Sequence, residues 1–278
     1  MLVCLAVEAD RPSSRDALIG LLWPDQPEPT ARTNLRQALA NVRRVIGDRA
    51  AGPSFLRVTR ETVQFNTDSD YTLDVAIFAD LVTASEQHSH RRAETCRSCA
   101  RRLQQAVELY RDDFLEGFFL SDSTAFEEWA LVRRARLRHL ALSVLHRLAS
   151  YHERRGLYEQ AYRYAARQLE LDTWWEEAHR QAMRALALGG QRSAALAHYE
   201  TFRRALAQEL NAEPAEETTA LYTFIRKGAK EWGRLGPVDT ASQLASWPSP
   251  PTPLIGRVQE LAQIAHLLEN PAYPLPSS

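Results

Sequence analysis

Apolar residues return every three or four positions between residues 35 and 46. At about 100° per residue, Leu35, Leu39, Val42 and Ile46 form one narrow stripe, with Ala38 and Val45 beside it. The stripe predicts a helix laid on a core, entered at Pro29 or Thr30 and closed by Gly47. A shorter helix precedes it, capped by Ser14 and running to Leu22 with Ala17, Leu18, Leu21 and Leu22 at helical spacing, until "WPDQPEP" breaks it. Residues 1–9 read as the last turns of an amphipathic helix beginning before Met1, since their apolar run starts without a capping residue. Beyond the long helix, "FLRVTR" and "TVQFN" are short β-type runs that meet around Arg60 and Glu61 as a hairpin does.

From Leu73 to Gly228 almost every segment is helical, with Thr124 and Glu127 spaced as a capping box. A period of 34 runs through this part. Gly156 recurs as Gly190, Ala161 as Ala195, and Leu148-Ala149 as Ala182-Met183. A glycine between two helices, followed by alanine where helices touch closely, is tetratricopeptide spacing. The shift in the other direction puts Asp122 at the glycine position, so the earlier helices are expected to cap the stack, as is Pro214 to Arg226 on the far side. Residues 229–253 read as a Pro-rich linker, and residues 254–278 as a short helical remnant.

Composition sets the broad class. With 278 residues, 45% hydrophobic and 25% charged, the chain has material for two or three packed domains. Three cysteines, Cys4, Cys96 and Cys99, are too few and too clustered for the disulfide framework of a secreted protein, which implies a reducing, cytoplasmic setting. The opening "MLVCLAVEAD" has neither the length of a membrane span nor the basic region of a signal peptide.

The long helix carries an unusual polar face. Opposite its core stripe lie Thr33, Gln37, Ala40 and Arg44, flanked by Arg36 and Asn41. Short or amide side chains in the middle and cations at the margins suit a helix in the major groove. Arginine reads guanine or holds phosphate, Gln and Asn pair with adenine, and Ala or Thr approaches a thymine methyl. A short helix, a turn and a longer helix is the helix-turn-helix order, and Arg57 and Arg60 of the hairpin are placed to touch phosphate. Charge balance adds no independent support, because residues 1–49 hold seven arginines against six acids.

"RPSSRDALIGLLWPD", "TARTNLRQALANVRRVIGD" and the hairpin resemble the winged-helix domain of the antibiotic-regulatory-protein (SARP-type) transcriptional activators. "LDVAIFADLV", "AVELYRDDFLEGF", "EEWALVRRARLRHLAL" and the two repeats resemble the bacterial transcriptional activator domain that follows it in that family. The resemblance implies a mainly α fold. A partial winged helix-turn-helix with a small β-hairpin (residues 1–70) precedes an α-helical tetratricopeptide-like repeat domain (residues 71–228). In the family a small β-sheet comes before the first helix, so the chain reads as truncated there. "LIGRVQELAQIAHLLEN" is similar to the lead-in of the ATPase modules often fused to such activators. No G-x-x-x-x-G-K-[ST] occurs, so no nucleotide cofactor is expected. The implied partners are promoter DNA and, through the repeats, RNA polymerase, another protein or a second copy of the chain, with no membrane. The alternative is a repeat scaffold whose truncated front domain no longer binds DNA.

Three further patterns carry less. His88, His90, Cys96 and Cys99 within "HSHRRAETCRSC" are either a tetrahedral zinc set or an interhelical loop with two incidental thiols; the second reading is preferred and no metal is assigned. "RRARLRH", residues 133–139, reads as the solvated face of a helix rather than a second anion-binding patch. Trp174-Trp175 reads as packing, with one ring able to hold a partner if exposed on a repeat groove. With no G-x-S-x-G and no carboxylate pair on a common face, the chain is not read as an enzyme.

Overall fold

The computed structural model describes residues 1–89 and 95–228. The expected linker, the remnant after it and His90 lie outside them. The front part runs α1 (Leu2–Val7), β1 (Ser13–Ser14), α2 (Arg15–Leu22), α3 (Glu28–Val45), β2 (Leu56–Val58) and β3 (Thr62–Phe65). Ser14 caps α2 as expected, its hydroxyl accepting from the Ala17 N–H at 3.0 Å. The same residue belongs to β1, which adds to the expected hairpin and gives an antiparallel sheet of order β1-β3-β2, with Ser13 opposite Val63 and Leu56 opposite Phe65. One face of that sheet and the stripes of α1, α2 and α3 share a core of Leu5, Leu18, Leu35, Leu39, Leu56, Val63 and Phe65, on which Val42 and Ile46 also pack.

Val45 departs from the expected stripe. It is 80% exposed, because the core that receives Val42 and Ile46 does not extend around the last turn of α3 to the side where Val45 stands.

The second part contains α4 (Asp74–Glu86), α5 (Arg97–Leu109), α6 (Thr124–Arg154), α7 (Tyr158–Leu171), α8 (Glu176–Leu188), α9 (Arg192–Glu209) and α10 (Glu216–Lys227). The period of 34 appears directly in the backbone. Gly156 and Gly190 both take left-handed φ, +72° and +82°, at the turns after α6 and α8, while Ala161 and Ala195 are buried on the helices that follow. Leu148, Ala149, Ala182 and Met183 are buried too. At the front of the stack, α4, α5 and the middle of α6 enclose Phe78, Leu103, Val107, Val144, Leu145 and Leu148.

Two expectations about α6 need correction. Its cap is Ser123 rather than Thr124, and Glu127 accepts from the Leu120 N–H at 2.7 Å instead of closing a capping box. The buried Ser123 hydroxyl does two jobs, accepting from the Phe126 N–H at 3.1 Å and donating to the Leu21 carbonyl at 2.6 Å. "RRARLRH" is likewise no idle solvated face. Arg133 pairs with Glu8, Arg138 with Asp113, and Arg134 donates to the carbonyls of Phe114, Leu115 and Phe118 at 2.7, 3.1 and 3.2 Å. These arginines fasten the loop before α6 and the end of α1 onto α6, beside the hydrophobic packing there.

Because α6 is held to both α1 and α2, the front part is docked. Cys4, Leu22, Phe126 and Ala130 form a common buried cluster with Trp129 against it, and the described residues belong to a single compact unit. Among the described residues no helix is long and apolar enough to cross a membrane.

Candidate nucleic-acid interface

Helix α3 has one face in the core and the other in solvent. Beneath it Ala31, Leu35 and Leu39 are buried; above it Thr33, Arg36, Gln37, Ala40, Asn41 and Arg44 are all exposed. The six sequence-selected helix residues therefore share one open face. Short bonds order the margins of that face. Thr33 donates to the Pro29 carbonyl at 3.0 Å and accepts from Arg36 at 3.0 Å, and Arg44 donates to Asn41 Oδ1 at 3.2 Å. Gln37 and Ala40 lie between these tethered pairs, with nothing bulky over them, so the middle of the face is open to a close partner.

Beside this face runs a shallow cleft of about 580 Å³ between α3, the start of α2 and β2. Five arginines line it, Arg15, Arg36, Arg43, Arg44 and Arg49, with Leu39, Ala40 and Val58 as apolar lining and no acidic residue. Arg15 and Arg49 were not legible as members of this group from sequence. Arg15 reaches it because β1 pairs with β3: its backbone N–H donates to the Glu61 carbonyl at 2.9 Å and its guanidinium to the Thr59 carbonyl at 3.0 Å. Arg49 follows the left-handed Gly47, where the chain folds back from α3. Only an account of the turn and the sheet edge would have collected them.

Asp48 fixes this end of the helix. Its side chain is fully buried and accepts from Arg43 Nε at 2.6 Å and from the Leu56 N–H at 2.9 Å, joining the end of α3 to the first residue of β2. Burial alone would raise its pKa, but these hydrogen bonds and the Arg43 charge outweigh it and hold the carboxyl below its usual range. One of the cleft's five cations is thereby matched, and four remain facing solvent or neutral partners.

The hairpin arginines separate. Arg60 is exposed at the β2–β3 turn. Arg57 lies on the opposite face of β2 from Leu56 and Val58 by strand alternation and is ion-paired with Asp68, so the structure does not bring it to the cleft. Arg32, at the other margin of α3, pairs with Glu28 at 2.7 Å.

What the arrangement offers chemically is a helix with an unobstructed amide-and-methyl centre, guanidinium groups along its margin and a basic trough next to it. Guanidinium groups donate in a planar fork that matches guanine edges and phosphate, and an α-helix fills the major groove.

Of the remaining sequence-selected residues, Trp175 stacks on His146 at 6.1 Å while Trp174 is 38% exposed. His88, Cys96 and Cys99 are brought together at the junction of α4 and α5.

Comparison with known proteins agrees with this architecture. The family model described as "Bacterial transcriptional activator domain" matches residues 73–226. Among solved structures, Mycobacterium tuberculosis EmbR in complex with a low-affinity phosphopeptide is similar, with a TM-score of 0.65 and 21% identity. The similarity covers 96% of this chain and 63% of the EmbR chain, so this chain spans under two thirds of that protein's length. No curated protein matches.

Proposed function

Because this chain belongs to the bacterial transcriptional activator domain family, we propose that it is a SARP-type transcription regulator that binds promoter DNA through the exposed face of α3. The observation that carries this reading is the alignment of that face with an arginine-lined cleft in a helix-turn-helix frame. Gln37, Ala40 and Asn41 are assigned to base edges, Thr33 to a thymine methyl or a neighbouring phosphate, and Arg36 and Arg44 to guanine or phosphate. Arg60, at the tip of the hairpin, is assigned to phosphate, joined by Arg15 and Arg49 from the cleft. Arg57 serves the hairpin through Asp68 rather than the DNA.

The repeat domain is assigned to protein contacts, with RNA polymerase as the first partner to test. Phe119 is 70% exposed, and Leu131 and Val132 on α6 are each at least 50% exposed, near where the front helices dock. Apolar residues of this size in solvent suit a partner surface.

Selection from a pool of random duplexes tests the DNA reading. Enrichment of a consensus, with binding that weakens steeply as salt rises, is the expected outcome. A pool unchanged after several rounds, with the protein folded, contradicts it.

A further inference from the structure

The structure assigns a thiophilic metal site, for which zinc is the fitting ion, to His88, Cys96 and Cys99 at the junction of α4 and α5. His88 lies two residues past the end of α4, Cys96 is the residue that caps α5, and Cys99 stands on the first turn of that helix. Cys-x-x-Cys across a helix start turns both sulfurs to one side, and the α4–α5 pairing brings the imidazole to them.

The distances carry the assignment. With Zn–S of about 2.3 Å and Zn–N of about 2.0 Å, a tetrahedral edge from nitrogen to sulfur is about 3.5 Å. His88 Nδ1 lies 3.5 Å from Cys96 Sγ and 3.2 Å from Cys99 Sγ, and all three ligand atoms fall within 4.8 Å of one another. Both nitrogen-to-sulfur spacings are thus close to a tetrahedral edge, with the three donors near enough together to share one ion. Two thiolates and a neutral imidazole are soft-to-borderline ligands, which favours zinc over magnesium or calcium. Cys99 is buried, whereas His88 and Cys96 are half-buried, so an ion can enter from solvent and keep a water molecule at the fourth corner.

The surroundings also support the ligands. Cys99 Sγ lies 3.4 Å from the Ser85 carbonyl, and the Ser85 hydroxyl accepts from Arg147 of α6 at 3.0 Å. Arg102 of α5 donates to the Ala84 carbonyl at 3.2 Å. The end of α4 is therefore tied to α5 and α6 independently of any ion. A bound zinc would clamp the loop end of the α4–α5 hairpin and fasten the first layer of the repeat stack, a structural role separate from the DNA reading.

The test uses the full chain, expressed without a histidine tag and kept in a non-thiol reductant. Stoichiometric zinc after dialysis is the expected result. Cobalt(II) in its place should give sulfur-to-metal charge-transfer bands and the intense visible bands of a tetrahedral site. Cys96→Ser and His88→Ala, at half-buried positions, should each keep the helical circular dichroism, lower metal affinity by more than about tenfold and abolish the zinc-dependent rise in Tm. Zinc well below one per chain together with absent cobalt bands overturns the assignment. So does metal that binds Cys96→Ser as tightly as the parent chain, since the ion then sits elsewhere.

Discussion

The carboxylate of Glu8 accepts from Arg133 at 2.7 Å across 125 residues, and from the Trp129 indole N–H at 2.8 Å, so the end of α1 is bonded to the N-terminal third of α6. Glu8 is mostly buried. Burial alone would raise its pKa, yet the bonds from Trp129, Arg11 and Arg133 hold it below the usual range. The orientation of the front helices on the activator domain therefore depends on a polar junction as well as on the Phe126 cluster.

Glu8→Ala should cost about 1.5 to 3 kcal/mol, because it strips a charged acceptor from two half-buried donors. Since the folded pKa is depressed, the Glu8 contribution is present at neutral pH and is lost as pH falls through the folded value. Denaturant unfolding of Glu8→Ala, Arg133→Ala and the double variant checks both points. A coupling energy indistinguishable from zero would remove this pair from the account.

Asp48→Ala should cost about 2 to 4 kcal/mol by leaving the Leu56 N–H without its acceptor and Arg43 without its counter-ion. Hydrogen exchange should rise first in β2 and at the end of α3. Uniform exchange across the chain would show that Asp48 is not a local fastening.

Acid should loosen the repeats through their histidines. Burial depresses the pKa of His146, His152, His179 and His198, the last to about 4, with His179 Nδ1 only 2.9 Å from His198 Nε2. A histidine whose folded pKa lies below its unfolded value stabilises fully above the unfolded pKa of about 6.5 and loses that contribution as pH falls toward the folded one. Allowing for partial exposure, His198 accounts for at most about 3 kcal/mol between pH 6.5 and 4. Thermal melts of the parent and His198→Gln across that window should converge toward its acid end. Parallel curves would exclude His198 as a source of the pH dependence.

Gly190→Ala should cost about 1 to 2 kcal/mol. The space around a methyl there is open, and the penalty comes from φ of +82° alone. Chemical denaturation measures it; a neutral result would mean that the turn after α8 relaxes freely.

Local chemistry made α2, α3 and the repeats readable in advance. The Ser14 cap, the Leu35-Leu39 stripe and the glycine turns at Gly156 and Gly190 each act within a few residues, and each survives folding unchanged. What escaped depends on partners distant in the chain. Ser13 and Ser14 have no strand pattern and become β1 only by pairing with Thr62 and Val63. Arg134 resembles any surface arginine until the carbonyls of an irregular loop some 16 to 20 residues away are brought to it. The exposed face of α3 was legible from helical spacing, whereas Arg15 and Arg49 entered the cleft through a sheet edge and a turn. Val45 was misplaced because helical spacing gives the width of a stripe but not where the opposing core ends.

DNA reading by α3 is tested most directly by fluorescence anisotropy of the parent chain, Gln37→Ala and Arg44→Ala on a selected duplex and on single-base variants of it, over a range of salt concentrations. Leu39→Ala is the stability control, losing about 2 to 5 kcal/mol through a core cavity. Gln37→Ala should lose about 1 to 3 kcal/mol of discrimination at one base position with the salt slope intact. Arg44→Ala should weaken binding to every duplex and reduce the salt slope by about one. If both folded variants bind all duplexes as the parent does, the exposed face of α3 is not the surface that reads DNA.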